Sequence, residues 1–274
     1  MAQIEDIVLL HSKRGMTILK EYCPDDFCRQ AAQLILDTAR GNVLITTGFY
    51  VVGSGETDGP PGAAFLAKAL EAVGYHPVIV TDDFCRGFFE CENIDTVYAA
   101  TEMGEADYAA MLDTYTPTLL LSIERCGRNI NGDYANMRGI SIADHNSKVD
   151  YLFELGAARG IPSIGIGDGG NEIGMGNFKE IISSQLSLVP CEVEVTKPVI
   201  ATVSNWGGYG ICAYLEKMTG KHVLPSYAEE LEYLDKIVAL GSVDGVTKEH
   251  VHTVDSYPEE VEAEILAKLH DAIK

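Results

Sequence analysis

The chain has 274 residues, 46% of them hydrophobic and 22% charged, a globular composition with enough length to bury a sizeable core. Forty-one acidic against twenty basic side chains give a formal charge of −21. That balance excludes the clustered Lys and Arg through which nucleic acids and anionic membrane surfaces are bound, so neither is expected as a partner.

The N-terminal MAQIEDIVLL has no basic segment ahead of a continuous apolar stretch, so no signal peptide is expected. No uninterrupted run of about eighteen apolar residues occurs, so no membrane span is expected either. Seven cysteines show neither a CxxC pair nor zinc-ligand spacing, which fits reduced thiols in a cytoplasmic protein. With no tandem repeat, low-complexity tract or linker, residues 1–274 read as a single α/β domain.

Helix and strand signals alternate along the chain. Residues 25–41, DDFCRQAAQLILDTARG, predict a helix: an Asp starts it, apolar positions recur every three or four, and Gly41 ends it. NVLITTGF, 42–49, predicts a short buried strand. GAAFLAKALEAVG (62–74) predicts the next helix, HPVIVTDD (76–83) a strand, and DTVYAA (95–100) another. Then follow a helix over 105–117, the Leu-rich strand PTLLLSIE (117–124), a helix over 147–160 and the strand IPSIGIG (161–167). KPVIATVSN (197–205) predicts a strand and GGYGICAYLEKMTG (207–220) a helix, before two helices near 226–240 and 258–273. Short apolar strands separated by helices predict an α/β fold: a mostly parallel sheet with helices on both faces, three-layered and Rossmann-like. Right-handed crossovers then bring the loops that leave the strands to one edge of the sheet, where ligands bind in such folds.

Four of those loops are long and rich in Gly and polar residues: 48–63, 124–139, 167–177 and SNWGGYG at 204–210. Ordinary connections of this kind run about two to six residues, so a ligand site is expected here. Gly53 and Gly55 suggest a phosphate-binding turn, but the spacing to Gly59 is GxGxxxG and two prolines precede the helix. Glu56 and Asp58 would also set like charge against a pyrophosphate.

The loops offer carboxylates (Glu56, Asp58, Glu124, Asp168, Glu172), arginines (Arg125, Arg128, Arg138) and amides (Asn129, Asn136, Asn171, Asn205). Carboxylates suit an ammonium group and arginines suit a carboxylate, so the mixture matches a zwitterion such as an amino acid. The oxygen donors would also accept a divalent metal, although no cofactor is required and no metal ligands are assigned. Cys126 reads as a small buried residue beside Arg125, and His145 as a residue near a helix start. Trp206 reads either as packing or as a stacking face. Oligomeric state stays open, a homo-oligomer included.

Together, ETDGPPGA, ERCGRNINGDYANMRG, IGIGDGGNEIGMGN, VSNWGGYG and GSVDGVT resemble the D-glutamate cyclase family, in its C-terminal cyclase-like domain, from about residue 5 to 270. Animal members are mitochondrial and carry a further N-terminal domain. The resemblance implies a lyase that dehydrates D-glutamate to 5-oxo-D-proline. That chemistry needs a base for the ammonium, donors for the oxyanion and an acid for the departing hydroxyl. Loop placement points to Asp168 and Glu172 as the acid–base pair, with Glu56 or Asp58 as alternates. Gly169 and Gly170 amides, with Asn171 and Asn205, would serve as oxyanion donors, and Arg125 would hold the α-carboxylate. Gly59, Glu124, Asn129 and Trp206 complete the expected substrate-binding set. Two other readings use the same loops: a non-catalytic amino-acid or metabolite binder, and an enzyme using a nucleotide or phosphosugar.

Overall fold

In a computed structural model, which describes residues 3–186 and 188–274, six of the apolar runs form one parallel sheet. Its strands are β1 (Asn42–Thr47), β4 (His76–Thr81), β5 (Thr96–Tyr98), β6 (Leu119–Ile123), β7 (Ser163–Gly167) and β8 (Lys197–Ile200), in the order β5-β4-β1-β6-β7-β8. Two very short strands, β2 (Tyr50–Val51) and β3 (Ser54–Gly55), make a separate antiparallel hairpin.

Both faces of the sheet are covered, which is why its strands are apolar without alternation. Val43 and Ile45 of β1 point into the larger core, built with α3 (Phe27–Asp37), α4 (Pro60–Ala72) and α8 (Ser204–Thr219). Leu44, between them, points into the opposite core with α5 (Glu105–Tyr115) and α6 (Asp150–Ala158). The predicted three-layer arrangement is therefore present. Each fully buried Leu or Ile here contributes about 1.5–3 kcal/mol. Truncating the buried Leu121 of β6 to Ala would cost about 2–5 kcal/mol.

The C-terminal α9 (Tyr227–Ala239) and α10 (Glu259–Ile273) add to the larger core. The sequence pattern did not show α1 (Ile4–Val8), α2 (Met16–Leu19) or α7 (Lys179–Gln185), which are too short to display a helical period. Among the described residues, no helix is long and apolar enough to cross a membrane.

From β1 the chain winds outward through β4 and β5, then returns to the other side of β1 with β6. The reversal opens a crevice beyond the carboxyl ends of β1 and β6. Glu56 and Asp58 follow β1, and Glu124 follows β6, so the topology alone delivers three acids to that crevice.

Candidate functional site

Helices α4 and α8 cap one another across this crevice. Neither has a capping side chain of its own. Asp58 Oδ1 accepts from the Asn205 and Gly59 amides, each at 2.8 Å, and its Oδ2 accepts from the Ser204 amide at 2.8 Å. In return, Asn205 Oδ1 accepts from the amides of Gly59 (2.9 Å) and Gly62 (2.8 Å) at the start of α4. The two helices approach closely there: a Cβ on Gly62 would lie 3.0 Å from Asn205 Cα.

This reciprocal cap corrects several expectations. Segment 204–210 is the first two turns of α8 rather than a loop, because a distant carboxylate supplies the cap that Val203 cannot. Asn205 is fully buried and caps α4, its Nδ2 donating to the Thr57 carbonyl at 3.1 Å, and it does not line the cleft where an oxyanion donor would be needed. No amide at the start of α4 is free for a pyrophosphate, since Pro60 and Pro61 have none and those of Gly59 and Gly62 are taken. Gly53 sits in the β2–β3 turn with positive φ, as Val52 does, a hairpin turn rather than a phosphate loop.

At the mouth of the crevice lies a cleft of about 430 Å³. Glu56, Glu124, Asn171 and Arg14 line it. The Glu56 carboxyl makes no hydrogen bond to the described residues, and it lies against Gly245, where a Cβ would come 1.6 Å from Oε2. Glu124 accepts from Ser204 Oγ at 2.6 Å and sits at φ +44°, a left-handed conformation costing a non-glycine residue about 1–3 kcal/mol. Gly59, at φ +97°, makes room for it, since a Cβ there would fall 2.8 Å from Glu124 Cβ. That strain is held beside the cleft.

Asp168 is fully buried close by. Its Oδ2 accepts from Arg14 Nη1 at 2.6 Å, while Oδ1 has no partner among the described residues. Arg14 donates through Nη2 to Asp255 Oδ1, also at 2.6 Å. One guanidinium near the N-terminus thus bridges an acid from the middle of the chain and one near its C-terminus. Asp58, Glu124 and Asp168 each present an oxygen within 4.8 Å of the others, a set that could hold a hard divalent cation.

These carboxyls titrate abnormally. Burial, then the nearby Asp255, pushes Asp58 up to about 7 against the pull of the Asn205 and Ser204 amides. Burial also holds Glu56 and Glu124 well above the usual range, reinforced for Glu56 by Asp255 and Asp58 and for Glu124 by Glu172 and Asp58. Asp168 is raised as well, burial outweighing the opposing Arg14. Burial disfavours the charge on Arg14, yet Asp168, Asp255 and Glu124 outweigh it and raise its pKa. The site therefore keeps some carboxyls protonated near neutral pH.

The remaining expected residues divide. Glu172 Oε2 accepts from the Gly170 amide at 2.7 Å, so that amide is used inside the 167–174 loop rather than aimed at substrate. Glu172 is raised chiefly by burial, with the Gly170 amide opposing. Gly169 packs against the Glu172 and Asn171 side chains. Asn171 Nδ2 donates to the Ala135 carbonyl at 3.0 Å, leaving Oδ1 as the free atom. It thus offers the cleft an acceptor, suited to an ammonium, and keeps one Nδ2 hydrogen beyond the bond to Ala135.

Arg125 does not reach the cleft. It is buried in an ion pair with Asp82 and donates to the Ser147 carbonyl (2.8 Å) and the Gly48 carbonyl (3.1 Å). Asn129 accepts from the Asn131 and Asp133 amides and shapes its own loop. Trp206 is buried and donates to Glu262 Oε2 at 2.7 Å, so it packs. Cys126 is buried, which pushes its thiol up despite Arg125. His145 stacks on Tyr50 at 4.0 Å in the cleft wall, five residues ahead of α6.

Sequence reasoning missed Arg14, Asp255 and Asp244. Asp244 is buried and gathers the amides of Val246, Thr247 and Ser256 and the Thr253 hydroxyl, organising the loop that carries Asp255. The quoted GSVDGVT held the available signal for that loop; Arg14 had none.

A family profile described as "D-glutamate cyclase-like, C-terminal" matches residues 4–270. The mitochondrial D-glutamate cyclase of Homo sapiens is 36% identical over 249 residues, covering 81% of this chain and 39% of the human protein. The chain thus corresponds to well under half of that relative's length. Among solved structures, a Brucella melitensis 3-ketoacyl-(acyl-carrier-protein) reductase complexed with NADH is 17% identical, covering 47% of this chain and 57% of that one at a TM-score of 0.27. An E. coli tRNA N6-threonylcarbamoyladenosine dehydratase in complex with AMP is 11% identical, covering 73% and 95%, at 0.31. Scores this low carry no inference about ligands.

Proposed function

The chain belongs to the D-glutamate cyclase-like, C-terminal family, and from that premise we propose that its cleft cyclises D-glutamate to 5-oxo-D-proline with loss of water. In this reaction the α-amine attacks the side-chain carboxyl, a C–N bond forms, and a C–O bond breaks as the hydroxyl leaves as water. Holding the substrate folded brings the reacting atoms to attack distance, where effective molarities reach about 10⁵ M or more. The proton balance is fixed: the nitrogen loses two protons, one before attack and one after the C–N bond forms, and the side-chain carboxylate oxygen that leaves as water gains two.

The observation that carries this reading is the gathering of Glu56, Asp58, Glu124 and Asp168 around one guanidinium, with raised carboxyl pKa values at the floor of an open cleft. A carboxyl kept protonated near pH 7 is the acid that the departing hydroxyl requires. Glu124 takes that role here, being strained, in the cleft and raised in pKa. Glu56, whose carboxyl makes no hydrogen bond to the described residues, takes the ammonium and, in its ionised form, its proton, a raised pKa making that carboxylate the stronger base; Asn171 Oδ1 is a second acceptor for the ammonium. Asp168, turned by Arg14, and Glu172 support the floor. We set this pair in place of the Asp168–Glu172 pair suggested by loop placement, because among the described carboxyls Glu56 and Glu124 line the cleft.

The test is incubation of pure protein with D- or L-glutamate, following 5-oxoproline by NMR. Lactam from D-glutamate supports the reading. Binding of glutamate without lactam favours a sensor, and neither binding nor lactam removes the reading. An added chelator decides the metal question: activity unaffected by EDTA fits shared protons alone. Loss with EDTA and recovery with Mn²⁺ or Mg²⁺ assigns a cation to Asp58, Glu124 and Asp168.

A further inference from the structure

We propose that Arg138 and Lys248 form a carboxylate subsite at the mouth of the cleft, which takes the α-carboxylate of an α-amino dicarboxylate while its amine and side-chain carboxyl reach the acidic floor. This rests on the cyclisation reading and supplies the clamp that buried Arg125 cannot.

The first support is the state of the cations themselves. Of the twenty Lys and Arg side chains, twelve are in ion pairs. Arg40, Lys197, Lys217 and Lys221 donate hydrogen bonds, and Lys13 lies over the Tyr257 ring. Among the described residues, the charged groups of Arg138, Lys148 and Lys248 alone make no such contact, and two of those three line this one cleft. In a chain of charge −21, where acidic partners outnumber bases two to one, leaving two cations unpaired beside an acidic floor runs against the general composition.

The second support is their placement. They come from different loops, and each loop is built to hold its position. Asn136 Oδ1 accepts from the Arg138 amide at 2.9 Å and the Ile140 amide at 3.1 Å, closing a tight turn. The Lys248 amide donates to the Asp244 carbonyl at 2.8 Å, within the turn that the Asp244 carboxylate organises, and Lys248 itself is at φ +63°. Around them the rim is apolar: Val52, Met137, Ile140 and Val246 are between 38% and 61% exposed, four of the eight large hydrophobic side chains found exposed among the described residues. A ligand that covers this collar sheds water from the two cations and strengthens their hold on its charge.

The third support is polarity. With Glu56 and Glu124 at the floor and Arg138 and Lys248 at the mouth, the cleft favours a ligand with its ammonium inward and a carboxylate outward. In glutamate cyclisation the α-carboxylate takes no part in bond making and survives in the lactam, so a mouth subsite grips substrate and product alike.

The test is calorimetric binding of 5-oxo-D-proline, and of 2-pyrrolidinone as the same ring without its carboxylate, to wild type, to Arg138→Gln/Lys248→Gln and to Arg138→Lys/Lys248→Arg. All four replacements are at exposed positions, and thermal melts check folding. The expected result is at least a tenfold loss of 5-oxo-D-proline affinity in the Gln variant, recovery in the charge-preserving variant, and the same 2-pyrrolidinone affinity in all three. Unchanged 5-oxo-D-proline affinity in the Gln variant overturns the subsite alone. Wild type that binds neither 5-oxo-D-proline nor D-glutamate overturns the cyclisation reading and the subsite with it.

Discussion

Two groups of buried carboxyls are tied to helix α8, and they differ in what they face. One is the set around Asp58, Glu124 and Asp168, which opens through Glu56 and Glu124 into the cleft. The other is sealed: Glu230 accepts from Tyr209 Oη and Glu262 from Trp206 Nε1, each at 2.7 Å, and neither acid lines the cleft. Burial raises the carboxyls in both groups, Glu230 to about 7 and Glu262 well above its ordinary range. The sealed pair lies within mutual hydrogen-bonding reach, and its remaining oxygens find no other partner among the described residues. A single shared proton satisfies that arrangement. A displaced pKa therefore does not distinguish a working acid from a structural one. On the proposed reading, access to the cleft and the Arg14 guanidinium set the open group apart.

The comparison can be broken most sharply at Glu124. Glu124→Gln should lower lactam formation by about 10²–10⁴-fold, the range of a lost general acid. Its melting temperature should hold or rise, because a buried ionisable group is gone. Undiminished initial rates would place the open cluster in the same class as the sealed one. Next in size is Arg14→Ala, which leaves Asp168 and Asp255 without their cation and should cost about 3 kcal/mol by denaturant unfolding. That cost should shrink as pH falls and the raised Asp168 carboxyl protonates.

The sealed pair gives a smaller effect with a definite sign. An acid raised on folding contributes stability that is fully present below its unfolded pKa and is lost as pH rises through the folded value. For Glu230 the window runs from about 4.5 to about 7. Glu230→Gln/Glu262→Gln should flatten unfolding free energy across that window, by about 3 kcal/mol, and leave turnover in place. A wild-type profile already flat there would remove the shared proton. Smallest is Tyr209→Phe, which takes one donor from Glu230 and should cost about 1 kcal/mol without changing the rate.

The layers of the fold were legible because each strand is a short apolar run buried on both faces, as Leu119–Ile123 illustrates. So was the edge that holds the site, since parallel connectivity fixes it, and Glu56, Asp58, Glu124 and Asp168 do meet there. Partner choice was not legible. The loops contain several arginines, and nothing local says that Arg125 is consumed by Asp82 while Arg14, more than a hundred and fifty residues from Asp168, reaches the acids. Segment 204–210 looked like a loop because its glycines break a helix on its own. Its cap comes from Asp58, and Gly208 is there to let α4 pass close by, with a Cβ only 3.3 Å from Gly62 Cα.

The central claim, that the open cluster at the β1–β6 crevice is where the substrate turns over, is met most directly by a crystal structure of the protein with 5-oxo-D-proline. The account expects the lactam ring over Glu56, Glu124 and Asn171, with its carboxylate between Arg138 and Lys248. A product bound elsewhere, or a cleft without ligand at a concentration that saturates binding in solution, would contradict it.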